Sequence, residues 1–173
     1  IKRLFVKSEL ILRCVVKNRK TVHTVFSLIR LYSPRTIRFW IKLLYNWLYI
    51  CALIRIESNK SEVVVLDQGI AQALWSNAYY GDGNVDYAIA SSLVHKLVLQ
   101  LSVSSVLIIQ VTADNQTIKS RLLARENGLS PLDDKSFSSW QQGVRVTDET
   151  RCLLDKIVCH SSVITIVTKD NTS

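Results

Sequence analysis

The sequence predicts an α/β fold in which a parallel sheet is covered on both faces by helices, a three-layer arrangement preceded by a basic helical segment. Three observations predict it. Val63-Val64-Val65-Leu66 lead straight into Asp67, Gly69 follows two positions later, and apolar residues then recur at helical spacing through Trp75, which reads as a buried strand, a turn and a helix. Ser104 to Thr112, SSVLIIQVT, is a second run of nearly continuous apolar character, and Val163 to Thr168, VITIVT, is a third. Helical patterns fill the intervals, and strands alternating with helices build parallel sheets. Three strands make a thin sheet, and the chain starts at Ile1 and contains no Met. The expectation is therefore one incomplete domain whose N-terminal strand or strands are missing, with 1–60 as basic amphipathic helices and 61–173 as the α/β core.

Taken in order, residues 2–17 set Leu4, Phe5, Leu12, Val15 and Val16 among Lys and Arg, a helical pattern that Asn18-Arg19-Lys20 interrupts. Val22 to Tyr32 resume it, and Ser33-Pro34 mark a boundary, because the residue before a proline is pushed out of the helical region. A basic and aromatic helix is expected from about Arg35 to Ile56, with Phe39, Trp40, Tyr45, Trp47 and Tyr49 beside Arg35, Arg38 and Lys42. Ser76 to Asn84 reads as a loop, Val85 to Leu101 as a helix, and Asp114 to about Asn127 as another that Gly128 stops. Ser136 to Cys159 is expected as a long polar helix before the last strand.

At 173 residues and 48% hydrophobic content the chain is long enough for one domain with a sizeable core. The net charge of +8 is unevenly placed. Residues 1–60 hold thirteen Lys and Arg against Glu9 and Glu57, a net of +11, whereas 61–173 hold nine against twelve acids, a net of −3. A basic block of this kind suits phosphates, nucleic acid or an anionic membrane surface, and equally a solvated helical face. Cys14, Cys51, Cys152 and Cys159 form no CxxC pair and His23, His95 and His160 are scattered, so neither a disulfide framework nor a metal site is indicated. Core packing is the expected role of Cys152 and Cys159, and a reducing, cytoplasmic setting is the simplest. The longest uncharged run near the start, Leu43 to Ile54, has twelve residues, short of the roughly 20 that cross a bilayer.

Asp67 is the first functional candidate, since a carboxylate at the C-terminal end of a buried parallel strand sits where open α/β sheets bind ligands. The alternative is a cap on the helix that follows. Arg121 and Arg125 are four apart and share one helix face, where they can bind phosphate or pair with Asp114, Glu126 or Asp133.

The strand ending in Asp67-Gln68-Gly69, the strand ending at Val111-Thr112-Ala113-Asp114 and the helix carrying Arg121 to Arg125, followed by a polar loop, a helix and a closing strand, together resemble the C-terminal two-thirds of P-loop kinases of the thymidylate kinase-like kind. The resemblance covers about residues 60–170. It implies that Asp67 is the Walker B acidic residue, catalytic and holding Mg²⁺ through water, and that Arg121 and Arg125 belong to the lid and bind the nucleotide. It further implies ATP as phosphoryl donor, residues 1–60 as helices over a nucleotide-like or other anionic acceptor, and Gln68 and Arg38 on the acceptor side. The chain departs from the family in three ways. No glycine fits GxxxxGK[ST], Gln68 stands where thymidylate kinases commonly have Arg, and the loop Ser130-Pro131-Leu132-Asp133 has no arginine. The expected function is thus a fragment of a Mg²⁺-dependent phosphotransferase, inactive by itself. Two alternatives stand beside it: a non-catalytic module that binds nucleic acid or an anionic membrane through residues 1–60, and a degenerate nucleotide-binding regulator.

Overall fold

The computed structural model describes residues 2–58, 66, 69–82, 85–101, 108–112, 120, 137–157 and 163–167. They form helices α1 (Lys2–Lys17), α2 (Arg19–Leu31), α3 (Ile37–Ser58), α4 (Ile70–Tyr80) and α5 (Tyr87–Gln100), strand β1 (Ile108–Thr112), helix α6 (Phe137–Ile157) and strand β2 (Val163–Val167). The two strands pair in parallel, Ile108 opposite Val163 and Thr112 opposite Val167.

This architecture corrects the expected fold class. The described residues are overwhelmingly helical, and their sheet has two strands of five residues, not a parallel sheet with helices on both faces. The physical reason lies in what the helices bury. Helix α3 sets Leu43, Trp47, Leu48, Ile50, Cys51, Ala52 and Ile54 inward, and they meet Val25, Leu28 and Ile29 of α2, Ala73 and Leu74 of α4, and Ala90, Val94 and Leu97 of α5 in one core. Helices cover helices, so no sheet is needed to bury these faces. Of the expected strand leading into Asp67 only Leu66 is described; it lies in no regular element and packs against the core.

Local chemistry explains most boundaries. Asn18 interrupts the first helical run, and α2 begins at Arg19. Ser33 adopts a left-handed backbone conformation, φ 47°, and with Pro34 turns the chain between α2 and α3. Asp86 caps α5, its carboxylate accepting from the amides of Ala88 and Ile89 at 2.8 and 3.2 Å. Ser76 to Tyr80, expected as loop, are the last turns of α4. Tertiary contact overrides composition there: Asn77 is fully buried and accepts from Trp47 Nε1 at 3.0 Å. One basic residue is structural, since the Arg55 guanidinium donates to Gln100 O at 2.6 Å and to Thr21 Oγ1 at 3.4 Å and contacts Asn18 Oδ1, which ties α3 to α2 and α5. Cys51 is buried, but Cys152, expected in the core, is exposed.

Tyr32 is 3% exposed, and burial pushes its phenol well above the ordinary value of 10.0, with Tyr87 and Glu149 adding to the effect. Burial also raises Tyr87, reinforced by Glu149 and Cys152 and opposed by Arg145. A pKa raised in the folded state contributes fully below the unfolded value and is lost as pH rises. Stability against urea is therefore expected to be flat up to about pH 9 and to fall steadily at about pH 10 and above, and Tyr32→Phe to flatten that fall. An unchanged alkaline slope in Tyr32→Phe would contradict the assignment.

Candidate ligand-binding site

The most chemically furnished surface among the described residues lies where the chain entering α3 crosses the end of α4. The crossing is tight. Arg35 N donates to Tyr80 O at 3.2 Å, Asp82 N donates to Tyr32 O at 3.2 Å, and Pro34 and Gly81 form an isolated antiparallel bridge. Gly81 is required by space: a Cβ there would stand 2.4 Å from the carbonyl oxygen of Tyr32 and 2.9 Å from that of Asn77.

An aromatic row grows out of this corner. Phe39 stacks on Tyr80 with centroids 4.4 Å apart, Tyr80 meets Tyr79 edge-on at 5.3 Å, and Tyr79 stacks on Trp75 at 4.9 Å. Trp75 Nε1 donates to Thr147 Oγ1 at 3.2 Å and Gln142 Nε2 donates to Tyr79 O at 2.8 Å, so α6 holds the far end of the row. Cations gather at the near end. Lys42 Nζ donates to the Tyr80 hydroxyl at 2.8 Å and stands 4.6 Å from its ring centroid, a cation over a π face. Arg35 Nε pairs with Asp82 Oδ1 at 2.7 Å, both side chains largely in solvent. An exposed pair of this kind contributes roughly 0–1 kcal/mol, so a bound anion can exchange for it at small cost. Arg38 is exposed on α3, one turn before Lys42 and three residues after Arg35, which precedes the helix. The result is a ledge of half-buried stacked rings, with Tyr79 buried among them, bordered by Arg35, Arg38 and Lys42 and suited to a flat ring carrying negative charge.

Of the residues proposed from sequence, Arg38 lies beside Phe39 at this ledge and is exposed. Trp40 is half-buried with its ring 4.9 Å from Phe26. Asp67, Gln68, Arg121 and Arg125 lie outside the described residues. Among the described residues no three His, Cys, Asp or Glu side chains gather to hold a metal ion. The ledge escaped sequence reasoning because Phe39 and Tyr80 are forty-one positions apart and Arg35 and Asp82 forty-seven. The cluster Tyr79-Tyr80-Gly81-Asp82, aromatic residues beside a glycine and a carboxylate, was the available signal.

The apolar run in α3 also reads differently in place. The helix has 22 residues and, among the described residues, is the one long and apolar enough to cross a membrane, by length and composition only. In the structure 39% of its most apolar window is buried, and it packs against α1, α2 and α4. No family model matches the sequence, and neither a curated protein nor a solved structure matches it.

Proposed function

We propose that this chain takes part in phosphoryl transfer to an anionic, ring-bearing small molecule of the nucleotide class, and that the ledge holds this acceptor. The observation that supports the reading is the convergence on Tyr80 of a ring stacked at 4.4 Å and an ammonium group 2.8 Å from the hydroxyl, one turn from exposed Arg38. A nucleobase stacking on an aromatic side chain gains about 1–3 kcal/mol. Guanidinium and ammonium groups bind phosphate through charge-assisted hydrogen bonds, with Arg38 offering a planar fork and Lys42 a point charge. Phosphoryl transfer depends mainly on positioning and charge, so holding the acceptor is a catalytic contribution in its own right.

Mg²⁺-ATP would supply the phosphoryl group when bound, and Asp67, with Arg121 and Arg125, are the residues the kinase resemblance gives to it. The setting we assign is the cytoplasm, where nucleotides are held and where the thiols of Cys51 and Cys152, neither in a disulfide, stay reduced.

Calorimetric titration of the full chain with thymidine monophosphate, ATP and inorganic phosphate tests the ledge. A mononucleotide is expected to bind more tightly than inorganic phosphate. Arg38→Ala and Lys42→Ala should each weaken it about tenfold, the loss of one charge-assisted contact. Phe39→Ala should remove the preference for the nucleotide, and Lys96→Ala on α5 should change nothing. Equal affinities in the wild-type, Arg38→Ala and Lys42→Ala chains would refute the assignment.

A further inference from the structure

A second surface carries a different chemistry and does not depend on the ledge. From Leu10 to Ile56 the chain has nine Lys and Arg and no Asp or Glu. Over the same span it leaves large apolar side chains in solvent: Leu12, Val16, Phe26, Ile37 and Ile41 are between 47% and 72% exposed. Leu12 and Val16 are one turn apart on α1, as are Ile37 and Ile41 on α3. Val15, Val16, Val22 and Phe26, with Arg19 and His23, line an open groove of about 480 Å³ between the end of α1 and the outer side of α2. Phe26 then meets Trp40 of α3 with centroids 4.9 Å apart, and Ile37 lies one turn before Trp40 on the same helix. Along α2, Arg19, His23, Phe26 and Arg30 recur at three- and four-residue spacing, all four exposed. An apolar strip thus crosses three helices with arginines on its border.

We infer that this face of α1, α2 and α3 docks on an anionic lipid surface, its apolar side chains entering the boundary between headgroups and acyl chains and Arg19 and Arg30 lying among the lipid phosphates. Charge and apolarity together select this occupant. A nucleic acid would use the arginines and leave Leu12, Val16, Ile37 and Ile41 without a partner, whereas membrane-surface helices combine a basic border with large apolar residues. A second copy of the same face would bring arginines against arginines without a carboxylate between Leu10 and Ile56 to offset them. The inward face of α3 is filled by Leu43, Trp47 and Cys51, so the helix is occupied as a core element and the membrane contact falls to the outer strip.

The test is flotation of the full chain with vesicles of phosphatidylcholine alone and of phosphatidylcholine with about one-third phosphatidylserine. Binding is expected only with phosphatidylserine and should weaken as salt rises. The double variant Phe26→Asp with Ile41→Asp should lower vesicle partitioning about a hundredfold, and Arg19→Gln with Arg30→Gln about tenfold. All four side chains are exposed, so the helical circular dichroism should persist. Equal binding to both vesicle types would overturn the inference, as would no binding to either. So would tight binding to duplex DNA that the Phe26→Asp, Ile41→Asp chain retains in full.

Discussion

Replacing Trp47 with alanine is expected to remove about 3–5 kcal/mol of stability through the cavity it opens, which against the usual 5–15 kcal/mol of a domain brings the chain close to unfolding. Trp47 has no exposed surface and stands where α3 meets α4. Its indole N–H is also the described partner of the Asn77 carbonyl oxygen, 3.0 Å away and equally buried. The two contributions can be separated. Trp47→Phe keeps most of the volume but strands the Asn77 oxygen, and should cost about 1–3 kcal/mol. Adding Asn77→Leu to Trp47→Phe removes the stranded group and should recover most of that loss. Urea unfolding followed by circular dichroism measures all three. A cost below about 0.5 kcal/mol for Trp47→Phe would show that the buried hydrogen bond has been misassigned.

Gly81→Ala is the second large effect, and its cause is steric and not conformational. Gly81 has an ordinary extended backbone, φ −87° and ψ 161°, that any residue adopts. The added methyl would meet the backbone oxygens of Tyr32 and Asn77 at 2.4 and 2.9 Å, and neither can rotate away. Overpacking of this kind costs about 1–3 kcal/mol, larger than the 0.4–1 kcal/mol a Gly to Ala change can return by restricting the unfolded chain. The substitution should also prise apart the crossing that sets Arg35 and Asp82 and so weaken nucleotide binding at the ledge. Gly69→Ala is the control. Its nearest neighbour would be the Leu66 side chain at 3.3 Å, which can shift, so a cost as large as that of Gly81→Ala would contradict the steric account.

The helices were legible because their signals are local. Apolar periodicity, Asn18 and Ser33-Pro34 place α1, α2 and α3 within a few residues, and the polar pattern of α6 does the same. The sheet was not legible in extent. A continuous apolar run states that a segment is buried without stating what buries it, and here the helices bury one another. The interior of α4 shows the same limit. Ser76 and Asn77 favour turns by composition, yet Asn77 is helical because a tryptophan thirty positions earlier takes its side chain. The ledge depends on such pairings throughout. Arg38 was visible as a cation on an aromatic helix, but the ring of Tyr80 that gives Lys42 and Phe39 a common partner arrives from another helix.

The central claim is that an anionic, ring-bearing ligand sits on the Phe39 and Tyr80 ledge. Amide chemical shifts of the full ¹⁵N-labelled chain, followed while thymidine monophosphate is added, test it most directly. The largest changes are expected at 35–42 and 79–82, saturating with the calorimetric affinity. Changes centred on any other element, or none at concentrations that saturate binding, would contradict it.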